Sequence, residues 1–567
     1  MYISQVVAVL VTATAAAAAS QPSVTIKNGT INGINVPQFG QEMFLGIPYA
    51  QPPVGDLRLR VPQSINASFG TIDATAYGPH CWSSFTTGFN DNSGFPNSED
   101  CLTLNVIRPS GISSNSTPIP VNFWIHGGGL TTGGSADFRY NATGLVQASV
   151  DNGNPIIFVG INYRLGSLGF LGGKALADNG SLNLGLRDQR LALHWVQENI
   201  AQFGGDPTRV TVQGQRAGGS SISAHIVAFG GRDDKLFNQA IIESGVSLNP
   251  WGIPTSPAFQ ATYNSLIANT SCSSTANSSE AVQLACLRAI PIDEFREVSN
   301  GTTGLQRDND TLTTKSALAS FEQGEWVRVA FLVGSNTDEG RSFAPLGANN
   351  TAQANASLAS TIPPVENRNA ILDLYPDVPE IGCPFNTGVF QLAPIQNGLF
   401  GTPGAQNKRV QAIVGDVMEA GPPRYLAQKV SSEVPFFKYR WNHIPYSVSF
   451  SIEDYIGHFT EVSYAFNLQN NDTEFWITNH FTATYLGPTA PIEDRFLGVY
   501  LSRSWAAFAA TGDPNNANVT TKLQWPKYSD SPSNIVWRSQ GSTIELDNYR
   551  EEGISYIIND FFLSFYQ

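Results

Sequence analysis

Apolar residues recur along this chain in short dense runs, and the spacing inside each run predicts the element it forms. Across Ser98 to Val106, Leu102, Leu104 and Val106 alternate with polar neighbours, the period-two pattern of a half-buried strand. Val121 to Ile125 and Ile156 to Ile161 are more continuously apolar, which predicts interior strands of a sheet covered on both faces. From Leu186 to Phe203, the residues Leu186, Leu193, Val196, Ile200 and Phe203 repeat at helical spacing and stop at Gly204-Gly205. Strand Val210 to Gln213 follows, then a Gly-rich turn and a helix from Ala217 to about Phe229. Two more strands are expected at Ala240 to Glu243 and Val329 to Gly334. Helix and strand alternating in this way predict an α/β fold built on a mainly parallel sheet.

Other stretches break the alternation. Val24 to Ile26 and Thr30-Ile31 flank the turn pair Asn28-Gly29, which reads as an edge hairpin outside the core, and Asn32-Gly33 is a second turn pair. Phe44 to Gln63 is too rich in Pro and Gly for a helix and is expected to be a fixed irregular surface segment. From about Asn249 to Asp310, and again from about Ala344 to Gly421, the chain turns Asn/Ser/Pro-rich with scattered short helical patterns. These stretches read as insertions over the sheet edge, not as separate domains. No repeat at a solenoid period is present.

Composition narrows the possibilities. Hydrophobic residues make up 41% of the 567 and charged residues only 14%, against about 25% charged in an average domain, which suits a large well-filled core. A formal net charge of −14 repels phosphate backbones, and no basic run is present, so nucleic acid is not an expected partner. Residues 1–20 read as a secretory signal peptide: an apolar core from Val6 to Val11 followed by small residues ending near Ala19 or Ser20. No later apolar run approaches the ~20 residues of a transmembrane span.

N-x-S/T sequons occur at Asn28, Asn66, Asn115, Asn141, Asn179, Asn269, Asn277, Asn300, Asn309, Asn349, Asn355, Asn471 and Asn518. Their spread is consistent with a glycosylated protein of the secretory pathway. Local spacing of the five cysteines suggests loop staples Cys81–Cys101 and Cys272–Cys286, leaving Cys383 as a buried or unpaired structural thiol.

The candidate chemistry centres on Val210 to Ser221, VTVQGQRAGGSS. A β-branched run enters a tight glycine turn that opens into a small-residue helix, the layout of a nucleophile elbow. The G-x-S-x-G pattern would place serine between Gly214 and Gly218, and the residue there is Arg216. Ser220 and Ser221 lie further along, inside the expected helix, where packing or capping is their ordinary role.

Taken together, FLGIPYAQPPVGDLR, EDCLTLNV, WIHGGG, NYRLGSLGFL, the segment from Gly185 to Gly214, GSNTDEG and SWAAFAATGDPN resemble the type-B carboxylesterase/lipase family, which includes fungal secreted lipases and cholinesterases. The resemblance implies an α/β-hydrolase fold over residues 21–567 as one domain, with a mostly parallel sheet flanked by helices and insertions forming a gorge. It implies that Gly128 and Gly129 of the loop His126 to Gly129, together with Ala217, supply oxyanion-hole amides. It assigns the family acid to Glu339, with Asp338 one residue off, and the family histidine to His458. Where the family reads G-E-S-A-G, this chain reads Gly214-Gln215-Arg216-Ala217-Gly218.

Three functions follow as expectations. The first is a non-hydrolytic enzyme of isomerase, cyclase or lyase type. In it His458 is a base oriented by Glu339, the amides hold a developing enolate or alkoxide, and Arg216 adds a fixed cation. The second is a residual ester hydrolase in which His458 activates water directly. The third is a non-catalytic binding protein, in which Arg216 and Glu339 form an internal ion pair. The expected partner is a small hydrophobic or carbonyl-containing substrate. No metal-ligand spacing or dinucleotide fingerprint is present, so no metal or cofactor is expected.

Overall fold

The computed structural model describes residues 21–83, 95–299, 301–308, 312–383, 404–445, 456–470, 490–520 and 523–566. The expected signal peptide and the sequons at Asn300, Asn309 and Asn471 lie outside the described residues.

An eleven-stranded sheet organises the chain. Its strands are β1 (Ile34–Val36), β2 (Gln41–Pro48), β3 (Thr103–Pro109), β4 (Ile119–Ile125), β5 (Ile157–Ile161), β6 (Gly205–Gln215), β7 (Gln239–Glu243), β8 (Ala330–Asn336), β9 (Phe436–Trp441), β10 (Ser533–Trp537) and β11 (Thr543–Leu546). They lie in the order β11-β10-β9-β8-β7-β6-β4-β5-β3-β2-β1. From β5 across to β10 every neighbouring pair is parallel, while β11 and the β3-β2-β1 edge are antiparallel.

Strand alternation divides the interior into two layers. Val121, Phe123 and Ile125 of β4, Val159 of β5 and Ile242 of β7 face one core, whereas Trp124, Phe158 and Ile241 face the other. A central strand therefore has no solvent face, which is why β4 and β5 read as continuous apolar runs. Helices α1 (Leu184–Asn199) and α2 (Ala217–Gly231) cover the first face, where Leu186, Leu193, Val196 and Ile222 are fully buried. A tight 3-10 turn at Ile200–Phe203 ends α1 at Gly204, which takes φ 83°, so the expected helix to Phe203 changes pitch in its last turn. On the other face lies a twenty-residue helix, Ile492–Thr511, whose Leu501, Trp505 and Phe508 are buried.

Three expectations need correction, and one strand was missed. The first hairpin turns at Lys27-Asn28, with Ile26 opposite Gly29, and Val24, Ile26 and Ile31 pack into the main core. Phe44 to Pro48 is strand: a bulge between Phe44 and Ile47 absorbs Gly46 at φ 71°, and the Gly46 N–H donates to Asn105 Oδ1 at 2.9 Å. Strand β9, FFKYRW, was not legible because two charges interrupt its apolar run. Lys438 is buried and Arg440 half-buried, each paired with groups on or beside β10 and β11: Lys438 with Asn534 and Asp547, Arg440 with Glu545. Finally, Asn28 is buried and its Nδ2 donates to the carbonyls of Ile65 and Ala67 at 3.0 and 3.2 Å. That leaves Asn28 unsuited to a glycan, whereas Asn66, Asn115, Asn179, Asn269, Asn277, Asn349 and Asn518 are exposed and Asn141 and Asn355 half-exposed.

Disulfides Cys81–Cys101 and Cys272–Cys286 are formed, and Cys383 is a buried thiol. Among the described residues no helix is long and apolar enough to cross a membrane.

Candidate functional site

Strand β6 runs into Gln215, the chain reverses at Arg216, and α2 begins at Ala217. Arg216 takes φ 51° and ψ −111°, a strained conformation for a residue with a Cβ, worth about 1–3 kcal/mol. Backbone contacts hold it there: its N–H donates to the Glu243 carbonyl at 2.9 Å and its own carbonyl accepts from Ser220 N at 2.8 Å. The flanking glycines are steric requirements. A Cβ at Gly218 would lie 2.0 Å from the Ile125 carbonyl oxygen, and one at Gly245 would lie 2.4 Å from that of Arg216. The expected elbow is thus present in geometry, with arginine at its tip.

The two changed residues send their side chains to different partners. Gln215 is buried, and its Nε2 lies 3.0 Å from His458 Nε2. His458 Nδ1 lies 2.6 Å from Glu339 Oε2. Since the Glu339 carboxylate accepts, Nδ1 carries the proton, and the Nε2 lone pair accepts from the Gln215 amide. Glu339 is itself fixed by Ser244 Oγ at 2.5 Å and Asn336 N at 2.8 Å, both donating to Oε1. Asp338 is not the histidine's partner. Its Oδ2 accepts from Ile456 N at 3.0 Å, and Asn336 Nδ2 donates to the Gly457 carbonyl at 2.7 Å. The turn after β8 therefore grips three consecutive residues, Ile456 to His458.

Arg216 points away from this pair. Its guanidinium lies 4.8 Å over the Phe343 ring, Nη1 is 3.2 Å from Glu419 Oε1, and the side chain is 29% exposed. Phe343 also meets the His458 ring edge-on at 4.8 Å, so one aromatic ring spaces cation from base. The expectation of an internal Arg216–Glu339 pair is corrected: Glu339 is engaged by His458, and Glu419 pairs with the arginine. Glu419 comes from a π-helical segment, Asp416–Ala420, between α3 (Asn407–Gly415) and α4 (Gly421–Val430). Asp416 anchors that segment by accepting from Tyr375 Oη at 2.7 Å and Arg550 Nη1 at 3.0 Å. Sequence reasoning missed Glu419 because it sits in a stretch read as an insertion. The available signal was two acids, Asp416 and Glu419, inside the otherwise apolar run Val410 to Ala420.

The loop after β4 closes the other side. Gly128 takes φ 102°, and a Cβ there would lie 2.1 Å from the Thr132 carbonyl oxygen, while a Cβ at Gly127 would lie 2.8 Å from Gln215 Oε1. The backbone N–H groups of Gly128, Gly129 and Ala217 make no hydrogen bond to the described residues. His126, stacked on Tyr163 at 4.4 Å, is pushed down to about 4 by burial and stays neutral. Ser220 Oγ donates to the Gly245 carbonyl and Ser221 Oγ to the Ala217 carbonyl, both within α2 packing.

Beneath the elbow lie further buried carboxyls. Burial pushes Glu243 up to about 7, against hydrogen bonds from Trp505 Nε1 and Gln213 Nε2. Burial raises Glu461 well above the ordinary carboxyl range, reinforced by Glu243 and Glu339. Glu419 is raised in the same way by burial, which outweighs the opposing Arg216. Among the described residues no group of side chains is arranged to hold a metal ion.

A parallel sheet with an elbow, an amide loop and an acid-oriented histidine at its strand ends defines an α/β-hydrolase with an esterase-type site. The chain belongs to the carboxylesterase family, matching it over residues 20–552. It is 32% identical to "Secreted lipase 1" of Botryotinia fuckeliana (strain B05.10), over 95% of this chain and 93% of the relative. It is equally 32% identical to "Lipase 4" of Diutina rugosa, over 94% and 95%. The fold is similar to the crystal structure of Aspergillus niger EstA, with TM-score 0.77 and 27% identity over 95% of this chain and 98% of that one.

Proposed function

We propose that this member of the carboxylesterase/lipase family is a secreted glycoprotein that has lost the serine nucleophile and performs proton transfer on a small carbonyl compound. The observation that carries the reading is Arg216 at the elbow tip, above an intact His458–Glu339 pair. Guanidinium cannot attack a carbonyl carbon, whereas the base and the amide donors remain. Secretion rests on residues 1–20, the exposed sequons and the two disulfides, together with relatives named secreted lipases. It offers a place in an extracellular or secretory-pathway conversion of a secondary metabolite.

In this mechanism the α-carbon of the substrate, with its C–H, takes the place of the Gln215 amide at His458 Nε2. The freed lone pair takes a proton from the carbon next to the carbonyl, and the oxygen of the resulting enolate accepts from Gly128, Gly129 and Ala217 N–H. Glu339 keeps its hydrogen bond to Nδ1 and stabilises the imidazolium. His458 then returns the proton to another carbon of the extended enolate, giving an isomer, or a β-substituent departs with its bonding electron pair and takes the His458 proton, giving an α,β-unsaturated carbonyl compound. A positioned base of this kind contributes about 10²–10⁴-fold.

Deuterium exchange at the α-carbon of small ketones, followed by NMR in D₂O, tests the reaction. Wild type should exchange and His458→Ala should not; equal exchange by both would refute it. Residual hydrolysis through a His458-activated water is favoured by the family match alone, and it operates about a million-fold below a serine enzyme. The Gln215–His458 bond favours a non-catalytic binding role, under which neither variant exchanges.

A further inference from the structure

Charge is also buried away from the elbow, where the first core layer meets β9. Along that strand Phe437, Tyr439 and Trp441 face the second core, so Lys438 and Arg440 point into the first, otherwise apolar, layer. There Lys438 meets Arg424 of α4 and Arg550, which follows β11, around one cavity that Asp416, Asn534 and Asp547 also line. The space open to the centre of a water-sized particle is ≈ 20 Å³, room for one or two. The Arg424 and Lys438 side chains are 5% and 8% exposed.

These three cations share two carboxylates. Asp547 Oδ1 accepts from Arg424 Nη2 at 3.1 Å and from Lys438 Nζ at 3.0 Å, and Asp416 Oδ2 accepts from Arg550 Nη1 at 3.0 Å. Tyr528 Oη and Tyr375 Oη donate to the same two carboxylates at 2.9 and 2.7 Å. Arg440, the fourth cation on this face, is taken by Glu545, and Glu339, which borders the cavity, is taken by His458. Three buried nitrogen donors are left without an acceptor among the described residues: Arg424 Nε, Arg424 Nη1 and Arg550 Nε. The unpaired oxygens of Asn336 and Tyr439 belong to the opposite face of the sheet, where Asn336 bonds Glu461 and Tyr439 packs on Trp505.

Buried donors on charged groups call for an occupant that accepts without donating. Water must place two protons of its own beside carboxylates that are already engaged, and sulfate or phosphate is too large for the space. We propose that this cavity is a chloride site, the ion accepting from the Arg424 guanidinium and from Arg550 Nε. It supplies the negative charge that two carboxylates leave missing beside three cations. The ion also ties α4 and the segment after β11 to the turn that carries Glu339, whose Gly340 borders the same space. The site does not depend on the reaction at the elbow.

Crystals of the protein grown in sodium bromide and measured at the bromine absorption edge test the site. An anomalous peak should lie in the cavity against the Arg424 guanidinium. In solution, replacing gluconate by chloride at constant ionic strength should raise the melting temperature by about 2 °C and then level off. Arg424→Gln should abolish both peak and response. Arg424→Lys, which keeps the charge but not the fork of donors, should respond only at higher chloride concentration, which guards against a merely unfolded variant. A cavity that holds water alone in the bromide crystal overturns the proposal, as does a melting temperature indifferent to chloride or a response that survives Arg424→Gln. A bromide peak without the melting response is binding at crystal concentration only and overturns it too.

Discussion

Gln215 and Arg216 are adjacent, yet the elbow turn sends one side chain down onto His458 and the other out over Phe343. Two consequences follow for the base. Removing the amide that engages its lone pair, as in Gln215→Ala, should raise α-carbon exchange about five-fold, the worth of roughly 1 kcal/mol for one hydrogen bond. Glu339→Gln should lower it by about 10²–10⁴-fold, because the imidazole loses the carboxylate that fixes its tautomer and stabilises its charged form. NMR exchange rates measure both. At this scale His458 and Glu339 were legible, since each stands in a motif in hydrolase order. Glu419 was not: its partnership with Arg216 joins positions about two hundred residues apart through a π-helical segment that carries no motif.

The elbow as an element depends on backbone approach more than on side chains. Gly218→Ala places a Cβ 2.0 Å from the Ile125 carbonyl oxygen at the end of β4, so α2 must shift from the sheet. The expected cost is on the order of 1–3 kcal/mol in denaturant unfolding, the range of core overpacking. An unchanged midpoint would show that the start of α2 yields freely. The strands from β4 to β8 could be read from apolar runs because they are covered by helices on both faces, whereas β3, read from its alternation as half-buried, is buried at all seven residues, polar ones included. The pattern failed where charge is buried in pairs, as at Lys438 and Arg440 of β9, and where a bulge hides a strand, as at Gly46 of β2. The long helix Ile492–Thr511 escaped for a related reason: Trp505 to Ala509 are all buried, so its second half shows no polar face.

Across the whole molecule, carboxyls buried under the elbow tie stability to pH. Glu243 titrates near 7 in the folded protein and at about 4.3 when unfolded. The folded state therefore holds this proton more tightly. Its stability contribution is fully present below the unfolded value and is lost as pH rises through 7. Glu243→Gln, which keeps an acceptor for Trp505 and Gln213, should match wild type in melting temperature near pH 4 and exceed it at pH 8. A constant difference between the two pH values would contradict the assignment.

An elbow with arginine at its tip should be neither acylated nor phosphonylated. Intact mass spectrometry after exposure to a fluorophosphonate measures this directly, on wild type and on the double variant Gln215→Glu, Arg216→Ser. On the proposed reading, wild type should remain unmodified while the double variant gains one adduct, its new serine placed at the elbow beside His458, Glu339 and the amide loop. Stoichiometric labelling of the wild-type protein would show instead that it carries a working nucleophile.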